Sequence, residues 1–246
     1  MAEDERISLH VTGGLGRLRL VRAAKRNAID EAFLQALEQA VNALADDRRV
    51  RVVLLEADGP SFCAGFDLGV LDGAADEAER KRVFGAAIRG WLRRMSRILD
   101  RLYSMEPVTI AAVQGAAAGG GFSLALACDL RIVARDARCW FPEVELGSAL
   151  SPASTALLMR LVPAGVARDI ILVGRRLDAT AMLALGIANR VSEPAALAAD
   201  ALAYAGEVLA RPAGALLTSK VTINALLAGH AVVRPDLIAY RDEGEG

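Results

Sequence analysis

Apolar positions along this chain follow one spacing in its first half and another after residue 151. Residues 7–11 and 15–21 read as short strands joined by a turn at Gly13 and Gly14. Asp30 stands where an N-cap belongs, ahead of Phe33, Leu34, Leu37, Val41 and Leu44 on one helical face. Residues 51–56 form a near-continuous apolar run, the pattern of a strand covered on both faces. After a loop over 58–73, Val83, Ala87, Trp91, Met95, Ile98 and Leu102 mark a helix over 77–102. Residues 108–113 and 130–134 read as further buried strands. Beyond Ser151 the spacing is helical, over 153–161, 165–173, 179–185, 194–210 and 212–227, with Asp178 and Gly186 capping the third of these. The pattern predicts an α/β core over 1–190 and a helical C-terminal region over 191–246, with 240–246 polar and frayed.

Residues 107–128 carry no charge and are long enough to span a bilayer. Pro107, Gln114, Gly115 and the triplet Gly119-Gly120-Gly121 interrupt the run, so a buried strand, a tight turn and a buried helix are expected instead. Twenty-nine basic against thirty acidic residues leave no excess to neutralise a nucleic-acid backbone, and a 4% aromatic content offers no base-stacking groove. Three scattered cysteines and two histidines support neither a disulfide framework nor a metal site. With no secretory signal in residues 1–6, the expectation is a soluble cytoplasmic protein without metal or separate cofactor. His10 and His230 stand outside any motif, and Cys63, Cys128 and Cys139 read as space-filling rather than nucleophilic.

Two segments carry candidate chemistry. Gln114-Gly115-Ala116-Ala117-Ala118-Gly119-Gly120-Gly121-Phe122-Ser123 joins the strand 108–113 to a helix over 122–128. Glycines let backbone approach a ligand closely, and the first amides of a helix lack intrahelical acceptors, so this turn favours negative charge. The same glycines equally suit close packing of strand on helix. Ser61-Phe62-Cys63-Ala64-Gly65-Phe66-Asp67-Leu68 again sets small residues behind a buried strand, where ligands gather in parallel sheets. It reads either as a plain turn or as a second source of N–H, and two such donors are the minimum for an oxyanion hole.

With Lys25-Arg26-Asn27-Ala28, Phe141-Pro142-Glu143-Val144-Glu145-Leu146-Gly147 and Gly174-Arg175-Arg176-Leu177-Asp178-Ala179, these motifs follow an order that resembles the crotonase (enoyl-CoA hydratase/isomerase) superfamily over residues 7–228. The resemblance implies an α/β fold with a crotonase-like ββα spiral core. It also implies homotrimers or dimers of trimers joined through the C-terminal helices, and an acyl-CoA or enoyl-CoA substrate whose enolate is stabilised. Coenzyme A would then enter as part of the substrate. The implied carbonyl donors are the backbone amides of Phe66 and Gly120. Lys25, Arg26, Ala28, Ala64, Gly65, Asp67, Leu68 and Gly119 match the coenzyme A site, although by composition alone Lys25 and Arg26 read as solvated charge. The chain also ends earlier than the resemblance leads one to expect, in the segment that helps cover the acyl pocket.

In the two-carboxylate hydratases that the chain resembles, the paired glutamates correspond to Ser123 and Glu143 here. Hydration needs one group to activate water and another to manage a proton, whereas a single glutamate can carry a proton from C2 to C4. Glu143 is therefore expected to be the acid/base of a double-bond isomerase, with a pKa raised by burial. Glu145 is its rival, and Ser123 reads either as a helix-start residue or as a hold for water. Ser151, where some relatives carry aspartate, disfavours dienoyl isomerisation and dehalogenation. Hydration, decarboxylation and silent acyl-CoA binding are the alternatives.

Overall fold

The structure, a computed structural model, describes residues 6–72 and 75–229. The expectations for residues 1–5, His230 and 240–246 lie outside those residues. Strands β1 (Ile7–Thr12) and β2 (Leu15–Leu20) form an antiparallel hairpin, turned by Gly13 and Gly14 at φ of 55° and 84°. Helix α1 (Glu31–Asp46) begins where the Asp30 carboxylate accepts from the Phe33 amide at 2.7 Å, and it buries Phe33, Leu34, Leu37, Val41 and Leu44. Strand β3 (Val52–Ala57), helix α2 (Glu77–Ser104) and strand β4 (Val108–Val113) follow. The uncharged 107–128 stretch divides into the expected buried strand β4 and a buried helix, α3 (Gly120–Ala127), which starts at Gly120 rather than Phe122, while the expected turn between them holds strand β5 (Ala116–Ala118). Among the described residues no helix is long and apolar enough to cross a membrane.

The second half runs β6 (Leu130–Ala134), β7 (Arg138–Trp140), α4 (Pro152–Met159), α5 (Ala164–Leu172), β8 (Leu177–Asp178), α6 (Ala179–Ala184), β9 (Arg190–Ser192), α7 (Leu197–Leu209) and α8 (Ala213–Leu227). Six strands form the main sheet in the order β1-β2-β3-β4-β6-β9, parallel from β2 onward. A smaller sheet, β5-β7-β8, pairs β5 with β7 in parallel. Strands β5, β7, β8 and β9 are two or three residues long, too short to show an alternating pattern in sequence.

The apolar runs of β3, β4 and β6 are explained by burial on both faces. Val53, Leu55, Ala111, Val113 and Val133 join a core with α1, α2 and α3. The alternate residues Val52, Leu54, Ile110, Ala112 and Ile132 pack against Leu197, Ala201, Tyr204 and Ala205 of α7. Beside them the buried Lys220 ammonium ties α8 to the sheet, meeting the Pro107 carbonyl and the Asp129 carboxylate at 2.7 Å each.

Gly115 tests how tightly two of these segments are pressed together. Its φ is +53°, and a Cβ there would lie 1.9 Å from the Pro60 carbonyl oxygen. Gly115→Ala should lower stability by at least about 2 kcal/mol. Gly206, helical in α7 with nothing within 4 Å of such a Cβ, is the control. Gly206→Ala should stabilise by about 0.5–1 kcal/mol. Urea denaturation midpoints read both.

Candidate active site

Two segments that the sequence singled out are joined by a short parallel ladder. The Phe62 amide donates to the Gln114 carbonyl at 2.9 Å, the Cys63 amide to Ala116 at 3.1 Å, and the Ala118 amide to Cys63 at 3.0 Å. Glycine permits this proximity. A Cβ on Gly121 would fall 2.2 Å from the Cys63 carbonyl oxygen, and one on Gly65 would fall 2.6 Å from the Ala118 oxygen and 3.3 Å from the Gly120 nitrogen. Phe66 follows Gly65, and Gly120 is the first residue of α3. Among the described residues neither the Phe66 nor the Gly120 amide donates to an acceptor.

The 61–68 segment is braced from its outer side. The buried Asn27 side chain accepts from the Arg22 amide at 2.8 Å and donates to the Asp58 and Ser61 carbonyls at 2.9 Å each. Arg22 reaches the Asp67 carboxylate at 2.5 Å and the Ala28 carbonyl at 2.8 Å. Partial burial pulls the Asp67 carboxyl upward, but hydrogen bonds from Arg22 and the Gly69 amide outweigh that and hold it below its ordinary value.

Beside the two free amides lies a cavity of about 130 Å³. Phe66, Phe84, Ile88, Trp91, Leu92 and Met95 make its apolar wall, and Phe66 meets the Phe84 and Trp91 rings edge-on at 5.7 and 5.5 Å. Its polar side carries Glu143, Ser123, Ser148, Ser151 and Ser154. Ser123 Oγ lies 3.0 Å from the Gly119 carbonyl oxygen and 2.7 Å from Ser154 Oγ, which in turn lies 2.8 Å from Ser151 Oγ. Glu143 is partly buried against the glycine turn, where a Cβ on Gly119 would lie 2.9 Å from its Oε1. Its Oε2 is buried without a hydrogen-bond partner, and burial raises its pKa above the ordinary value of 4.5, the bond from its own backbone only partly opposing the rise. Glu145, the rival, is exposed and packs beside Gly174 instead.

Of the expected coenzyme A residues, Ala64, Gly65, Leu68 and Gly119 line this cavity. Lys25 and Asp67 line a second, larger one of about 440 Å³, which shares Phe66 and Trp91 with the first. Arg26 is exposed and Ala28 buried, and neither lines either of these two cavities; their backbone carbonyls accept from Ala64 N and Arg22. Cys63, Cys128 and Cys139 are buried, and burial pushes each thiol up to about 12. His10 is exposed on β1. Ser154 and the bracing Arg22 escaped the sequence reading. Ser154 was detectable: Ser151-Pro152-Ala153-Ser154 carries a capping serine ahead of a helix-starting proline, and Ser151 Oγ accepts from the Ser154 amide at 3.1 Å.

Residues 11–234 match the family described as enoyl-CoA hydratase/isomerase. The enoyl-CoA hydratase domain-containing protein 2, mitochondrial, of Bos taurus is 32% identical over 86% of this chain and 70% of its own length. An enoyl-CoA isomerase/hydratase of Mycosarcoma maydis is 34% identical over 73% of this chain and 65% of its own. The crystal structure of an enoyl-CoA hydratase subunit I from Geobacillus kaustophilus superposes with a TM-score of 0.78 at 32% identity, covering 91% of this chain and 83% of that one.

The burial of Glu143 has a thermodynamic signature. Its raised folded pKa means that the folded state disfavours ionisation, so the neutral side chain is the better tenant above that pKa. Glu143→Gln should therefore raise the melting temperature at neutral pH by on the order of 2 °C. The gain should vanish as pH falls below the ordinary glutamate value, where both side chains are neutral. Thermal melts across that range read the difference.

Proposed function

This chain belongs to the enoyl-CoA hydratase/isomerase family, and we propose that within it the protein shifts the double bond of an enoyl-CoA, using Glu143 as its single acid/base. The fold is the crotonase-like α/β fold of its structural relatives. In the proposed reaction the thioester carbonyl oxygen accepts from the free amides of Phe66 and Gly120. Those donors stabilise the charge that collects on oxygen when the C2 proton leaves. Ionised Glu143 takes that proton from a 3-enoyl thioester. The C2–H electrons form the C2=C3 bond, and the former C3=C4 pair takes the proton back from Glu143 at C4. Charge and atoms balance without water entering the product.

The observation that supports this reading best is the unpartnered Glu143 oxygen in a cavity whose other family carboxylate position is a serine. Serine has no pKa near neutrality with which to activate water. The expected acyl site is the smaller cavity with its aromatic wall, and the mixed-charge cavity at Lys25 and Asp67 is the expected seat for the polar end of coenzyme A.

Incubation with 3-enoyl-CoA should give bond migration to the 2-enoyl isomer, and 2-enoyl-CoA should be hydrated far more slowly. Faster hydration than migration would overturn the reading, and tight binding with no reaction would favour a silent acyl-CoA binder. Glu143→Gln should reduce kcat by at least about a hundredfold. In the wild type kcat should rise with pH through the raised Glu143 pKa, as the base form accumulates, while the residual Glu143→Gln rate lacks that limb.

A further inference from the structure

Three hydroxyls on the polar side of the cavity form a chain that ends on a main-chain carbonyl rather than on the cavity. Ser123 and Ser154 are 1% and 4% exposed, so their hydrogen bonds are made within the protein. The contacts fix where the hydrogens go. The Gly119 carbonyl carries no hydrogen, so the 3.0 Å contact makes Ser123 the donor. Ser123 has then used its one hydrogen, and the 2.7 Å contact must be filled by Ser154 donating to Ser123. By the same count Ser151 donates to Ser154 across 2.8 Å, while its own oxygen accepts from the Ser154 amide.

The carbonyl at the end of this chain belongs to a peptide unit whose other end is the free Gly120 amide. That carbonyl accepts twice from Ser123, from its hydroxyl and from its amide at 3.0 Å. The preceding peptide is held by the Gly119 amide donating to the Trp140 carbonyl at 3.0 Å. Donors aligned on a carbonyl polarise its peptide and strengthen the N–H at the other end. Gly119 itself, at φ 51° and ψ −116°, has no side chain to hold this unusual backbone in place.

We infer that Ser123, fed by Ser154 and Ser151, is a positioning residue that fixes the plane of the Gly119–Gly120 peptide and strengthens its amide as a donor to the thioester oxygen. This rests on the reading of that amide given above. The serine at the lost carboxylate position is thereby tied to transition-state stabilisation instead of proton transfer. Because Ser151 caps α4 and Ser154 stands in its first turn, the chain also couples the loop bearing Glu143 to the carbonyl-binding peptide.

The test uses butyryl-CoA, a saturated and unreactive thioester, isotope-labelled at the carbonyl carbon and followed by difference infrared spectroscopy. Bound to the wild type, its carbonyl stretch should move to lower frequency, reporting donation to the oxygen. Ser123→Ala should lose a clear part of that shift and Ser154→Ala a smaller part, with butyryl-CoA affinity changed by less than about threefold in both. On 3-enoyl-CoA, Ser123→Ala should lower kcat by about three- to tenfold with KM nearly unchanged, well short of the loss from deleting a donor outright. A shift in Ser123→Ala equal to that of the wild type overturns the inference. Should that variant not fold, an undiminished shift in Ser154→Ala overturns it equally. No shift in the wild type would instead sink the carbonyl-donor reading beneath it.

Discussion

Everything in the cavity depends on two loops from different strand ends meeting backbone to backbone. The ladder at Cys63 and Ala117 is the bond that joins them, and it forms only because no side chain intervenes at Gly65, Gly115 or Gly121. Each glycine costs conformational entropy relative to a larger residue. The cost is offset by the surrounding core: β4 is buried along its whole length, α3 is buried throughout, and Phe62 and Phe122 are among its largest enclosed side chains. The dense apolar packing is therefore what holds two amides free of internal partners, a state the backbone ordinarily avoids.

Legibility in the sequence followed burial. Strands covered on both faces, such as Val52–Ala57 and Val108–Val113, left continuous apolar runs, and α1 left a clear stripe beneath its Asp30 cap. Strands β7 and β8 left nothing, because three residues and two residues hold no period. At the site, the glycine turn and Glu143 stood out by type and order. Asn27 stood within a motif but its bracing role did not show, and Arg22 stood in no motif, since the bonds of the brace reach across as many as 45 residues to carbonyls and to Asp67. The division of the residues proposed for coenzyme A, with Lys25 and Asp67 around one cavity and Ala64 and Leu68 around another, is likewise a matter of three-dimensional placement.

Glu143 shows how the same burial serves opposite ends. An ionised carboxylate with one oxygen enclosed and unbonded is a liability to the fold, and that liability is what moves its pKa toward neutrality. Glu145, two residues on and open to solvent, illustrates the alternative fate of the same side chain on the same loop. The difference lies in the neighbours, the Gly119 turn and the pocket wall, rather than in the residue type.

Cys63 brings a last consequence. Its sulfur sits between the two loops, donating to the Asn27 carbonyl at 3.1 Å and accepting from the Gly65 amide at 3.4 Å, with its pKa pushed up to about 12. The thiol at the seam between the loops thus stays uncharged across the whole physiological range. A thiolate there would add a negative charge to the loop that carries the Phe66 amide, beyond that of Glu143, and the protonated sulfur avoids that added repulsion.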